Sequence, residues 1–135
     1  MDSALEAAIR TLHKPDGWVH LATTGKDGTP HVAPMMMGIH GDTLTFSLTG
    51  QQKKINRRRD PRCCVSISEP GTVNHVIIWG TMDIRWDAAD KPVWEDLIRG
   101  AFGEEGLAQR QMDLSWEGRS LGLLTPIRWR IFLNR

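Results

Sequence analysis

The chain has 135 residues, 40% of them hydrophobic, which is enough for one packed core and too little for two domains that close on a substrate. Its 17 basic and 16 acidic residues leave a net charge of +1, so no global field directs it to nucleic acid or to an acidic membrane surface. The charge is uneven all the same: residues 53–62 hold six basic side chains and one acid, leaving 11 basic against 15 acidic residues elsewhere. No apolar run approaches the roughly 18 residues of a membrane span. No basic segment followed by a long apolar one opens the chain, so no secretory leader is expected. Cys63 and Cys64 are adjacent and would face opposite sides of a strand, an arrangement poorly suited to a disulfide. Without spaced histidines they do not make a zinc site, and no metal is predicted. The chain reads as one cytoplasmic domain over residues 1–135.

Residues 3–13 carry Ala4, Leu5, Ala8, Ile9 and Leu12 on one helical face, with Ser3 and Glu6 at capping-box spacing and Pro15 and Gly17 as a stop. The period then changes to two. Residues 17–24 read as a strand with Val19, Leu21 and Thr23 on one side and Trp18, His20 and Ala22 on the other. Asp27-Gly28 marks a hairpin turn, and residues 31–39 form the return strand, in which Pro34 argues for an edge or a bulge. After a turn at residues 40–43, residues 44–49 predict a third strand, with Leu44, Phe46 and Leu48 inward.

Residues 51–59 read as a short helix ended by Asp60-Pro61, and residues 62–68 as a strand. Residues 75–86 form a long strand whose even positions are apolar and whose odd positions are mixed. Val93, Trp94, Leu97, Ile98, Ala101 and Phe102 make a helical stripe, residues 103–118 a loop or frayed helix, and residues 125–133 a closing strand. Trp86 and Trp94 are assigned to the core, and Trp79 and Trp129 to a pocket or interface. The pattern is mainly β with flanking helices: a six-stranded antiparallel barrel, closed or split, since closure removes exposed strand edges. The βαβ rhythm of a dinucleotide-binding fold is missing.

Chemistry concentrates at the end of the third strand. Thr45, Ser47 and Thr49 share a face and lead through Gly50 into the basic helix, where free N–H groups and the helix dipole favour a phosphate and Lys53 can fold back onto it. A polar surface followed by a solvated basic helix is the plain alternative. The Arg57, Arg58, Arg59 and Arg62 cluster supports nucleic-acid binding only weakly on a nearly neutral chain. The five histidines have no metal-ligand spacing, and no hydrolase triad has a local signature. Met35, Met36, Met37, Trp79, Met82 and Trp129 are core-type residues that also suit a planar aromatic ligand.

Two stretches resemble a known family. These are ATTGKDGTPHVAP over the first hairpin and K-x-x-N-x-x-R-D-P-R, formed by Lys53, Asn56, Arg59, Asp60, Pro61 and Arg62. Together with Trp79-Gly80-Thr81 and the late GRSLGLLTPIRWRIF, they are similar to the pyridoxamine 5′-phosphate oxidase-like split-barrel family of flavin- and deazaflavin-binding proteins. The resemblance implies a six-stranded FMN-binding-type split barrel that forms a homodimer with cofactor sites at its interface. It implies an oxidoreductase that passes hydride between FMN or coenzyme F-420 and a small organic substrate, with no nucleic-acid or membrane partner. The short form looks more like the F-420 branch than like vitamin B6 oxidases. Ser47, Thr49 and Lys53 would hold the phosphate, with Arg57 as a further basic contact. Pro34, Met35 and Met36 would run beside the ring, and Trp79 with Arg128 or Trp129 would line the substrate side. No catalytic side chain is assigned. A split barrel that binds flavin or haem without turnover is the alternative.

Overall fold

A computed structural model describes residues 1–48, 60–113 and 120–134. Helix α1 (Ser3–Leu12) comes first. Strands β1 (Val19–Thr24), β2 (Pro30–Met35), β3 (Gly38–His40) and β4 (Thr43–Leu48) follow. Strands β5 (Arg62–Ser68) and β6 (His75–Arg85), helix α2 (Lys91–Asp113) and strand β7 (Ser120–Phe132) complete the order. One curled antiparallel sheet has the order β2-β1-β5-β6-β7-β4-β3.

The sheet has seven strands, one more than expected, because residues 31–39 are not one strand. β2 pairs with β1 as far as Met35, β3 pairs with β4 from Gly38, and Met36 and Met37 belong to neither ladder. This pair carries the chain from one edge of the curled sheet to the other. Pro34 is tolerated because β2 is an edge strand. Asp2, not Ser3, caps α1: its carboxylate accepts from the Leu5 N–H at 2.9 Å. The segment expected as loop or frayed helix continues α2 to Asp113, with a break at Gly103, whose φ of 76° favours glycine. β7 starts five residues earlier than expected, at Ser120, and its first half is fully buried. The predicted helix over residues 51–59 lies outside the described residues.

Apolar side chains pack on both faces of the sheet. On the inner face, Leu5, Ile9 and Leu12 of α1 pack among Val19, Phe46 and Ile78. On the outer face, Trp94, Ile98 and Leu107 of α2 cover Leu121 and Leu123. Trp94 is fully buried and Trp86 meets it edge-on, with ring centroids 6.3 Å apart. α2 lies over β3 and β4 and the start of β7, so the outer face of β2, β1, β5, β6 and the later half of β7 has no helix over it among the described residues.

Candidate functional site

Direct partners in an antiparallel ladder point to the same side of the sheet. Val32, Ala22, Cys64, Trp79 and Arg128 therefore form one row across β2, β1, β5, β6 and β7 on the uncovered outer face. The Arg128 guanidinium lies over the Trp79 ring, 4.4 Å from its centroid. Stacking engages the face of the guanidinium and leaves its in-plane N–H donors open. Around this stack is a shallow pocket of about 350 Å³, lined by Ala22, Thr24, Arg62, Cys64, Trp79 and Arg128 among others.

A β-bulge puts Arg128 there. Gly80 faces Pro126, whereas Trp79 faces Arg128, so Ile127 is the extra residue of β7. Without it Trp79 would face Ile127. The bulge needs a glycine: a Cβ on residue 80 would lie 2.2 Å from the Thr125 carbonyl oxygen. The bulge also corrects the simple alternation expected for residues 125–133. Ile127 is 64% exposed, while Trp129 packs against the inner core opposite Ile78. Trp129 is therefore a core residue, and Arg128 is the partner of Trp79.

The two cysteines face opposite sides, as their adjacency requires. Cys63 is buried beside the Gly80 carbonyl, and burial pushes its thiol up to about 12. Cys64 is half-buried in the pocket; burial raises its thiol and the nearby Arg128 charge offsets only part of that. Both are protonated near neutral pH. Arg62 is tied to Asp60 by paired hydrogen bonds of 2.9 and 2.8 Å, which hold the Asp60 carboxyl down to about 2. Arg128 has no carboxylate partner among the described residues.

Thr49, Lys53 and Arg57 are outside the described residues. Ser47 lies beneath α2, where its hydroxyl accepts from the Trp94 indole N–H at 2.9 Å. Its own O–H remains able to donate to an anion. Ser47 faces Leu121, which faces Arg85, six residues along β6 from Trp79 and about 20 Å away at strand rise. One chain therefore does not gather Ser47 with Trp79 and Arg128. Pro34 faces His20 in the row next to the Trp79 row. Met35 faces Val19 and packs on the core, and Met36 is half-buried at the crossing between the edge strands.

Sequence reasoning missed Ala22, Thr24 and Cys64 as pocket residues: the period-two pattern separates Ala22 from Val19 and Leu21, and Cys64 from Cys63, but does not say which side faces out. His13 had no signal at all: its role comes from a contact with Met37, 24 residues away. The Trp79–Arg128 stack thus sets a cation with no carboxylate partner among the described residues beside an aromatic side chain on the outer face.

A family model described as pyridoxamine 5′-phosphate oxidase matches residues 5–118. Among curated proteins, none matches the chain in sequence. Solved structures similar to it include an F420 reductase with 23% identity and a TM-score of 0.69, over 90% of this chain and 94% of that one. The conserved hypothetical protein Rv2991 from Mycobacterium tuberculosis has 24% identity and a TM-score of 0.76, over 96% and 83%. A Clostridium acetobutylicum protein related to general stress protein 26 has 15% identity and a TM-score of 0.74, over 98% and 90%. At these identities the structural likeness shows the split-barrel fold.

Proposed function

Because the chain belongs to the pyridoxamine 5′-phosphate oxidase family, we propose that it is an oxidoreductase that moves hydride between bound FMN or coenzyme F-420 and a small organic substrate. The family includes flavin-binding oxidoreductases. The observation that carries the reading is the Trp79–Arg128 stack in a pocket on the uncovered sheet face. When bound, the cofactor supplies the hydride chemistry. The protein's part is to bind, orient and exclude water. Trp79 stacks on a flat ring, Arg128 draws an anionic group to it, and Ser47, Thr49, Lys53 and Arg57 hold the phosphate. The backbone of Pro34, Met35 and Met36 runs beside the ring.

Such a pocket is too shallow to exclude water alone, so a second copy of the chain closes over it. Val32 and Ile127, 59% and 64% exposed, give that interface apolar contacts. Dimerisation also answers the separation of Ser47 from Trp79: the two ends of one cofactor are held by different protomers.

Titration with FMN and with F-420, followed by absorbance and by sedimentation, tests the proposal. A dimer that takes up one of the two is expected, with Arg128→Ala and Lys53→Ala each weakening uptake at unchanged melting temperature. A chain that binds neither at saturating concentration refutes it. Among the described residues, the pocket lining contains no carboxylate or imidazole to relay a proton. That favours, as a second reading, a module that binds flavin or haem without turnover. Reoxidation of the reduced cofactor by enones or quinones separates the two.

A further inference from the structure

Met36 and Met37 cross from β2 to β3 without a partner in either ladder, yet the chain is held on both sides of them. Before them, Met35 is paired with Val19. After them, Gly38 is held between β4 and α2, so closely that a Cβ there would lie 2.7 Å from Thr45 Oγ1 and 3.3 Å from Leu97 Cδ1. The Met37 side chain is sunk in the core. Its carbonyl, which a strand neighbour would otherwise engage, accepts a hydrogen bond from His13 Nε2 at 2.7 Å. A carbonyl can only accept, so Nε2 carries the proton.

His13 is a rigid donor. It closes the last turn of α1, its own N–H bonding the Ile9 carbonyl at 2.8 Å, and Leu5, Ile9 and Leu12 fix that helix in the core. The imidazole lines a cleft of about 390 Å³ between α1, β3 and α2, together with Ile9, Met37, Gly38, Leu97 and Gly100. Charged groups around it are Arg10 on α1, Asp16 just beyond it and Asp96 on α2. Arg10 is paired with Glu6 and Asp96 with Arg99. The tie between α1 and the edge crossing thus runs through His13 Nε2.

We propose that His13 is a positioning residue for the cofactor site, locking the peptides at residues 36–38 in the orientation that the ring of the bound cofactor meets. The inference rests on the function proposed above, in which Pro34 to Met36 run beside that ring. A ladder-free peptide can offer its N–H and C=O to a ligand, but only if something other than a strand neighbour holds it still. His13 does so from outside the site without touching the ligand.

Two substitutions separate donor geometry from packing. In His13→Gln the amide Nε2 reaches the place of the imidazole Nε2; in His13→Asn the amide falls short, at the place of Nδ1. The expected result is that His13→Asn binds FMN or F-420 about tenfold more weakly and shifts the visible spectrum of the bound cofactor, while His13→Gln stays within about threefold of wild type. In the cofactor-free protein, amide hydrogen exchange in β3, where the crossing enters the sheet, should quicken about tenfold in His13→Asn and not in His13→Gln, with β1 and β5 unchanged. His13→Asn with wild-type exchange overturns the inference, as does His13→Gln losing as much affinity as His13→Asn. Wild-type protein that binds neither cofactor overturns the proposed function instead, and the exchange measurement still decides whether His13 holds the crossing.

Discussion

Replacing Gly80 by alanine tests the link between the bulge and the pocket. The added Cβ would lie 2.2 Å from the Thr125 carbonyl oxygen, 2.9 Å from Leu124 Cδ2 and 3.0 Å from the Thr125 carbonyl carbon. A relaxed carbon–oxygen contact is about 3.3 Å, so β6 and β7 must separate locally by about 1 Å. Two of the three clashing atoms are backbone, which no rotamer change relieves. The cost therefore belongs at the upper end for overpacking, about 3 kcal/mol. Separation at residue 80 also disturbs its neighbour Trp79 and hence the 4.4 Å stack with Arg128. Gly28→Ala is the control: Gly28 has φ +85° with open space around its Cβ position, so only backbone strain of about 1 kcal/mol is at stake. Urea unfolding followed by tryptophan fluorescence gives both stabilities, and FMN or F-420 titration gives the effect on the site. If Gly80→Ala costs no more than Gly28→Ala, the close approach at the bulge is not what holds this register.

At the start of α1, Asp2→Ala should cost about 1 kcal/mol and Ser3→Ala only a few tenths, because Asp2 accepts from the Leu5 N–H; thermal melts of the two variants decide it. Trp94→Phe keeps most of the buried ring but leaves Ser47 without its indole donor; it should lower stability by about 2 kcal/mol in urea titrations. Acidification should weaken the fold through His13, whose pKa is lowered from 6.5 chiefly by burial and only partly restored by the Met37 carbonyl and Asp16. Between the lowered value and 6.5 the unfolded chain binds more protons, so stability falls as pH drops through that window and levels off below it. Chemical denaturation at pH 7.5 and pH 5 should show a smaller loss in His13→Gln than in wild type, because glutamine does not titrate.

Periodicity made most of the architecture legible. The alternation of Val19, Leu21 and Thr23, and of the even positions from Val76 to Met82, marks buried faces that the structure reproduces. The predicted stripe from Val93 to Phe102 marks the inner side of α2 as far as Ala101, whereas Phe102 is exposed. Two strand assignments failed for the same reason. The apolar run through Met36 and Met37 carries no sign of the break, because both residues suit a strand and the break is forced by curling that parts the two sheet edges. Likewise Ile127, Trp129 and Ile131 alternate in sequence as if on one face, but the extra residue of the bulge turns Ile127 outward.

Among the described residues, local periodicity and turn chemistry in the sequence determined most of the secondary elements and the opposite faces of Cys63 and Cys64, and the quoted motifs carried the resemblance to the split-barrel family. Only the tertiary structure decided which residues share the outer face, because a row across five strands is set by register and no local pattern encodes register across long connections. It put Arg128 rather than Trp129 on Trp79, put Ser47 under Trp94, and joined His13 to Met37. Each of these is a contact between elements far apart in the chain, fixed by packing and by one steric demand at Gly80.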